Sequence, residues 1–394
     1  MNQFVGNSTD VSRSNAVASV GFAAVSSLEG ELLVDSSSVV PFAKDLEHTS
    51  VQVQIEFRKV TKKYGLIAAV QDLSLEVLRG EFVTILGPSG SGKTTALMLL
   101  AGFISPTEGD IRIGGHSVAA VPSYRRDQGI VFQSYALFPH LTIRRNLEFP
   151  LEMRGIDAAE RKTRVDRMLE RVHLKEFGDR MPSQLSGGQQ QRIALARALI
   201  ADCPVLLLDE PLGALDRNLR EQMQGEIKSL HKEFGKTTIC VTHDQEEALT
   251  LSDRIVVMRD GRIEQIDTPE TLYDRPATQF VASFLGETNM LDNPGLDMAC
   301  DVMPPLGSIA MLRPERICIA AGAALQPPDA DRRQSVDGTV EDMIYAGPIR
   351  KYHVRAGRSM LVVREHVAAG RQIFRIGEKV RLDWLRSDVR YLTT

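Results

Sequence analysis

The octapeptide Gly87-Pro88-Ser89-Gly90-Ser91-Gly92-Lys93-Thr94 constrains this chain more than any other stretch of it. It follows an apolar, β-branched run, Phe82 to Leu86, and leads directly into a helical run, Thr95 to Leu100. Strand, glycine-rich turn and helix in that order form a phosphate cradle. Glycines let the backbone curl until successive N–H groups face one anion, and the helix start adds the positive end of its dipole. Lys93 then supplies a point charge for β- and γ-phosphates, and the Thr94 hydroxyl suits a Mg2+ ligand. Residues Gly87 through Thr95 are the expected nucleotide-binding set.

A second element completes that chemistry. Val205-Leu206-Leu207-Leu208 reads as a strand buried on both faces, and it ends in Asp209-Glu210. Carboxylates leaving the C-terminal end of such a strand sit beside the phosphate turn in this architecture. Asp209 is expected to hold Mg2+ through water, which leaves Glu210 to polarise an attacking water as general base. The residues therefore establish a P-loop nucleotide hydrolase. No Asn-Lys-x-Asp guanine reader is present, so ATP is favoured over GTP, with Mg2+ as its companion.

The rest of the chain sorts around this centre. Val53, Ile55 and Phe57 alternate with polar residues, as do Leu73, Leu75 and Val77, which predicts half-buried antiparallel strands. Thr238 to Thr242 is another continuous β-branched run, and Val165, Met168, Leu169 and Val172 form one apolar helical stripe. Alternating strands and helices imply an α/β unit with a mainly parallel sheet, running to about Glu287. Beyond it, Lys351 to Val354, Met360 to Val363 and Lys379 to Leu385 predict a small β-domain. The first fifty residues, rich in Ser, Ala and Val, read as a disordered extension. A net charge of −4 argues against a general nucleic-acid surface. The four cysteines form no C-x-x-C pair, which fits reduced cytosolic thiols, and no apolar run reaches the ~20 residues of a membrane span.

Leu185-Ser186-Gly187-Gly188-Gln189-Gln190-Gln191-Arg192 resembles the signature of ABC ATPases, the most specific motif in the chain. In that family the signature faces the phosphate loop of a second subunit. With one loop and one signature per chain, the resemblance implies a homodimer in which Ser186, Gly187, Gly188 and Gln189 meet ATP across the interface. It also implies that Tyr64 stacks on adenine and that Gln133 senses Mg2+ and the γ-phosphate. By the same resemblance Gly213 to Asp216 cross between subunits, and His243 contacts the γ-phosphate. Glu210, His243, Gln133 and Lys93 are thus the expected catalytic set, and Thr94, Gln133 and Asp209 the metal set.

The segment Ser134 to Thr142 resembles importers whose permeases dock there, with Leu137 and Phe138 as exposed apolar contacts. Leu312-Arg313-Pro314-Glu315 and Gly347 to Tyr352 resemble the TOBE domain of importer ATPases for polyamines, iron, sulfate and maltose. Phe284 to Asn289 leans toward the polyamine group, while Asn289 to Arg313 is shorter than that domain's usual first layer. The implied organisation is an extension at 1–50, an ABC ATP-binding domain with helical and antiparallel β subdomains at 51–288, and an OB-like TOBE domain at 289–394. The implied function is the ATPase of an ABC importer at the cytoplasmic face of the inner membrane. It would work with transmembrane permeases and indirectly with a periplasmic or extracellular solute-binding protein. A regulatory switch or scaffold with a ligand-binding C-terminal domain is the rival reading.

Overall fold

The structure is a computed structural model that describes residues 52–213, 215–291, 308–322 and 333–393. The expected disordered extension lies outside these residues, and so does the whole segment between Leu291 and Ser308. The chain opens with the hairpin β1 (Val53–Tyr64) and β2 (Ile67–Leu78), followed by β3 (Phe82–Leu86) and α1 (Lys93–Ala101). Next come β4 (Glu108–Ile113), β5 (His116–Ser117) and β6 (Gln128–Val131). Helices α2 (Ile143–Met153), α3 (Ala158–Arg171) and α4 (Gly187–Ile200) form a helical layer before β7 (Val205–Asp209). Then follow α5 (Arg217–Phe234), β8 (Thr237–Thr242), α6 (Gln245–Leu251), β9 (Arg254–Arg259) and β10 (Arg262–Asp267). Two short helices, α7 (Pro269–Asp274) and α8 (Gln279–Phe284), lead out of this part.

Two sheets organise these elements. The central one has the order β10-β9-β3-β8-β7-β6 and is parallel from β9 to β6. The other, β2-β1-β4-β5, is antiparallel. Every residue of β3 and β8 is buried, as continuous apolar and β-branched runs require when both faces are covered. Val83, Ile85, Leu207 and Val241 face Leu97 and Leu100 of α1 and Ile55 and Val77 of the antiparallel sheet. Phe82, Leu206 and Leu208 face the opposite side, toward Leu147, Val165, Ile193 and Ile227 of the helices. Each fully buried side chain of this kind contributes roughly 1.5–3 kcal/mol, so the sheet is a stiff platform for the loops at its C-terminal edge.

The C-terminal strands are β11 (Asn289–Leu291), β12 (Ser308–Leu312), β13 (Cys318–Ala321), β14 (Arg333–Ala346), β15 (Ile349–Ala356), β16 (Ser359–His366), β17 (Lys379–Leu385) and β18 (Arg390–Thr393). They form two antiparallel sheets, β11-β12-β18 and β13-β17-β14-β15-β16, around Trp384, Tyr352, Phe374 and Leu382. The 14-residue β14 was not legible as a strand, because Asp337, Glu341 and Asp342 interrupt its apolar alternation.

Candidate functional site

The glycine-rich turn leaves the buried end of β3, and sterics explain its composition. A Cβ on Gly87 would lie 2.3 Å from the Met258 carbonyl oxygen, and one on Gly92 would lie 2.4 Å from that of Ala69. Gly92 also takes φ 98° as it enters α1, a left-handed value that favours glycine. The turn closes on Lys93, which is 5% exposed and donates from Nζ to the Pro88 carbonyl at 2.9 Å. Burial lowers the Lys93 ammonium from its ordinary range, while Glu210 and Asp209 push it back up. Burial raises Asp209, the nearby Glu210 charge raises it further, and Lys93 opposes both. The buried Ser91 hydroxyl oxygen has no protein partner, as a cradle waiting for a polar ligand would leave it. Thr94 and Thr95 follow on the first turn of α1.

Glu210 is the hub of the site. It adopts φ 45°, an unusual value for a residue with a side chain, and its N–H donates to the Val241 carbonyl at 2.8 Å. That conformation turns the carboxylate toward two partners. Gln133 Nε2 donates to Oε2 at 3.0 Å, and His243 Nδ1 lies 3.0 Å from Oε1. The three residues follow the ends of β6, β7 and β8, adjacent parallel strands, so the platform itself sets their spacing.

The segment after Gln133 is tied down from the helical layer. Asn146, fully buried, donates to the carbonyls of Phe138, Leu141 and Thr142 and accepts from the Phe138 N–H at 2.8 Å. Arg197 of α4 donates to the carbonyls of Ala136 and Tyr135. Leu137 and Phe138, expected to be exposed, are half-buried instead. The Phe138 ring packs 4.8 Å from Phe149 and under the Arg197 guanidinium at 5.2 Å.

The signature residues stand elsewhere on the chain. Ser186 caps α4 by accepting from the Gln189 N–H, and the Gln189 side chain accepts from the Ser186 N–H at 2.9 Å. Such caps are worth about 1 kcal/mol. Gly188 is required by packing, since a Cβ there would come within 2.8 Å of Leu219. Among the described residues, no hydrogen bond or ion pair joins Ser186, Gly187, Gly188 or Gln189 to the phosphate turn. Tyr64 ends β1 with 53% of its surface exposed and Lys62 over its ring at 5.2 Å. One chain thus brings together Lys93, Asp209, Glu210, Gln133 and His243, and holds Tyr64 and the signature apart.

Comparison with known proteins fixes the family. Residues 70–213 match the ABC transporter family and residues 310–392 the TOBE domain. The chain is 42% identical to spermidine/putrescine import ATP-binding protein PotA 2 of Pseudomonas aeruginosa, over 86% of this chain and 98% of the relative. It is 45% identical to the protein named PotA from Rubrobacter xylanophilus, over 84% of this chain and 92% of that one. The chain belongs to the ABC transporter family. This ABC ATPase also resembles the ATP-binding cassette MJ0796, solved as a dimer in a post-hydrolysis state bound to ADP and Pi. That match has 38% identity and a TM-score of 0.50, over 55% of this chain and 98% of that chain.

Sequence reasoning missed several residues that shape the ABC site. Arg126, 4% exposed, donates to the Leu99 and Leu100 carbonyls at 2.8 Å and so caps the far end of α1. Burial pulls its guanidinium downward. Glu247, 2% exposed, accepts from the Thr242 hydroxyl at 2.5 Å, one residue from His243. Neither belongs to a motif; the fold puts Arg126 at the end of α1 away from the phosphate turn and Glu247 against the residue that precedes His243.

Proposed function

We propose that this ABC ATPase powers uptake of a polyamine, spermidine or putrescine, as a homodimer acting on transmembrane permeases at the cytoplasmic face of the inner membrane. The observation that carries the hydrolytic part is Glu210, whose two carboxylate oxygens meet Gln133 and His243 at 3.0 Å each. The polyamine assignment rests on relatives whose names specify spermidine/putrescine import. No helix among the described residues is long and apolar enough to cross a membrane, so translocation falls to partner subunits. A periplasmic or extracellular solute-binding protein would deliver the solute to them.

In this reading residues 51–288 form the ATP-binding domain and 289–394 the TOBE-like domain. The pairing of β11 with β12 supports a boundary at Asn289. ATP lies on Gly87, Pro88, Ser89, Gly90, Ser91, Gly92, Lys93, Thr94 and Thr95 with adenine against Tyr64. The unpartnered Ser91 oxygen and the two glycines without room for a Cβ fit a phosphate there. Thr94, Asp209 and the amide oxygen of Gln133 would hold Mg2+, which would supply positive charge against the charge developing on the phosphates. Glu210 takes the proton of the attacking water, while His243 and Lys93 face the charge that builds on the transferred phosphoryl. Ser186, Gly187, Gly188 and Gln189 of the second copy close the site. Ser186 and Gly187 are exposed at the start of α4, as that role requires.

The test is uptake of radiolabelled spermidine and putrescine by cells lacking this chain. The wild-type chain is expected to restore uptake and Glu210→Gln to leave it at background. Polyamine uptake that is unchanged by the deletion would contradict the assignment.

A further inference from the structure

We propose that Arg220 is a positioning residue that locks the loop between Gly213 and Asp216 to the loop carrying His243. The histidine is then in register with Glu210 only while the first loop is seated. The inference rests on Glu210 and His243 being the hydrolytic pair.

Arg220 lies in the first turn of α5, whose cap is Asp216. Its guanidinium forks between two loops: Nη1 donates to Asp244 Oδ2 at 3.0 Å, and Nη2 donates to the Leu215 carbonyl at 3.1 Å. A cation in the first turn opposes the helix dipole, so the stability of α5 by itself does not call for arginine there. The two acceptors outside the helix do.

Asp244 is held on every side. Its other oxygen, Oδ1, accepts from the N–H groups of Glu246 and Glu247 at 2.9 and 3.2 Å and caps α6. Its own N–H donates to the Thr242 hydroxyl at 3.0 Å, and that hydroxyl donates to buried Glu247. A residue fixed at four points fixes its neighbour, and the neighbour is His243. At the other end, the Gly213 N–H donates to the Glu210 carbonyl at 3.3 Å, so the first loop starts from the same carboxylate residue. The Leu215 N–H in turn donates to the Leu212 carbonyl at 3.2 Å, so Arg220 connects the segment that follows Glu210 to Asp244 and His243, and His243 returns to Glu210. Only a planar two-pronged donor satisfies both acceptors at once; lysine keeps one of them.

The test uses the full-length chain with Arg220→Met, Arg220→Lys, Asp244→Asn and the Arg220→Met/Asp244→Asn pair. Asparagine preserves the α6 cap while removing the charged partner. Arg220→Met and Asp244→Asn are each expected to lower kcat for MgATP hydrolysis about tenfold with KM within about twofold, as loss of a positioning contact should. The double variant should be no slower than either single, and Arg220→Lys should recover part of the rate. Amide exchange at 213–216 and 243–244 should rise together in Arg220→Met. Wild-type kcat in Arg220→Met beside an inactive Glu210→Gln, losses that multiply in the double variant, or unchanged exchange in both loops would overturn the proposal. Full-rate turnover in Glu210→Gln and His243→Ala would remove instead the reading it rests on, and the exchange measurement would then decide the bridge alone.

Discussion

The Nδ1 atom of His243 lies 3.0 Å from Oε1 of Glu210, joining the ends of two adjacent parallel strands. The pairing orients a carboxylate whose backbone is already held in a rare conformation. Replacing His243 by alanine should therefore lower kcat by about 10²-fold and leave ATP affinity nearly unchanged, because the contact acts on the transition state. Steady-state hydrolysis and nucleotide titration, run side by side, check both halves. A matching loss of affinity would place the histidine in ground-state binding.

Lys93 is expected to behave in the opposite way. Its buried ammonium faces Asp209 and Glu210 and donates to Pro88, so the turn is built around it. Lys93→Ala should weaken MgATP binding at least about tenfold by calorimetry, since both the phosphate charge and the two carboxylates lose their counter-ion. Retained affinity would show that the backbone amides suffice.

Glu247 makes a prediction about pH. Burial raises its carboxyl to about 7, with the Thr242 hydroxyl pulling the other way and the Asp244 charge adding to the rise. The folded chain holds this proton across a range in which the unfolded chain has released it. The group's penalty is therefore absent at low pH, grows as pH climbs from the ordinary carboxylate range, and is complete above about 7. Glu247→Gln removes the ionisation and still accepts from Thr242. It should gain roughly 3 kcal/mol of stability near pH 8 and less than about 1 kcal/mol near pH 5. Thermal melts at both values check the sign, and an equal gain at both would contradict it.

Arg313 carries a structural prediction. It is 2% exposed, donates to the carbonyls of Ala282, Gly286, Glu287 and Tyr273, and stacks 4.0 Å over the Tyr273 ring. Tyr273 in turn donates to Glu315 at 2.5 Å, and its phenol is pushed up to about 12, chiefly by burial. The Arg-Pro-Glu motif thus ties the C-terminal sheets to α7 and α8. Arg313→Met should cost about 3 kcal/mol by leaving four carbonyls short of a donor. Denaturation followed by the fluorescence of Trp384, buried in the C-terminal core, reads this directly. An unchanged transition would mean that other contacts hold the two parts together.

Some of this was legible in the residues and some was not. Phe82 to Leu86 and Thr238 to Thr242 read as buried strands because they are apolar or β-branched throughout with no charged side chain, and the loops that follow inherit their places from that sheet. The short β6 and the charged β14 gave no such signal, since four residues are too few for periodicity and acidic residues mask alternation. Contacts between distant segments escaped entirely. Arg126 on the end of α1, Arg197 on the Ala136 and Tyr135 carbonyls and Arg220 on Asp244 are surface-type residues by composition, and only tertiary folding gives each its acceptors. The half-burial of Leu137 and Phe138 has the same origin.

The most direct test of the account is ATP hydrolysis by the full-length chain beside Glu210→Gln, with association state followed by light scattering with and without MgATP. The account predicts that Glu210→Gln hydrolyses ATP at least about 10²-fold more slowly and is trapped as a dimer only when MgATP is present. A variant that stays monomeric and turns over ATP at the wild-type rate would contradict both the role of Glu210 and the two-chain site.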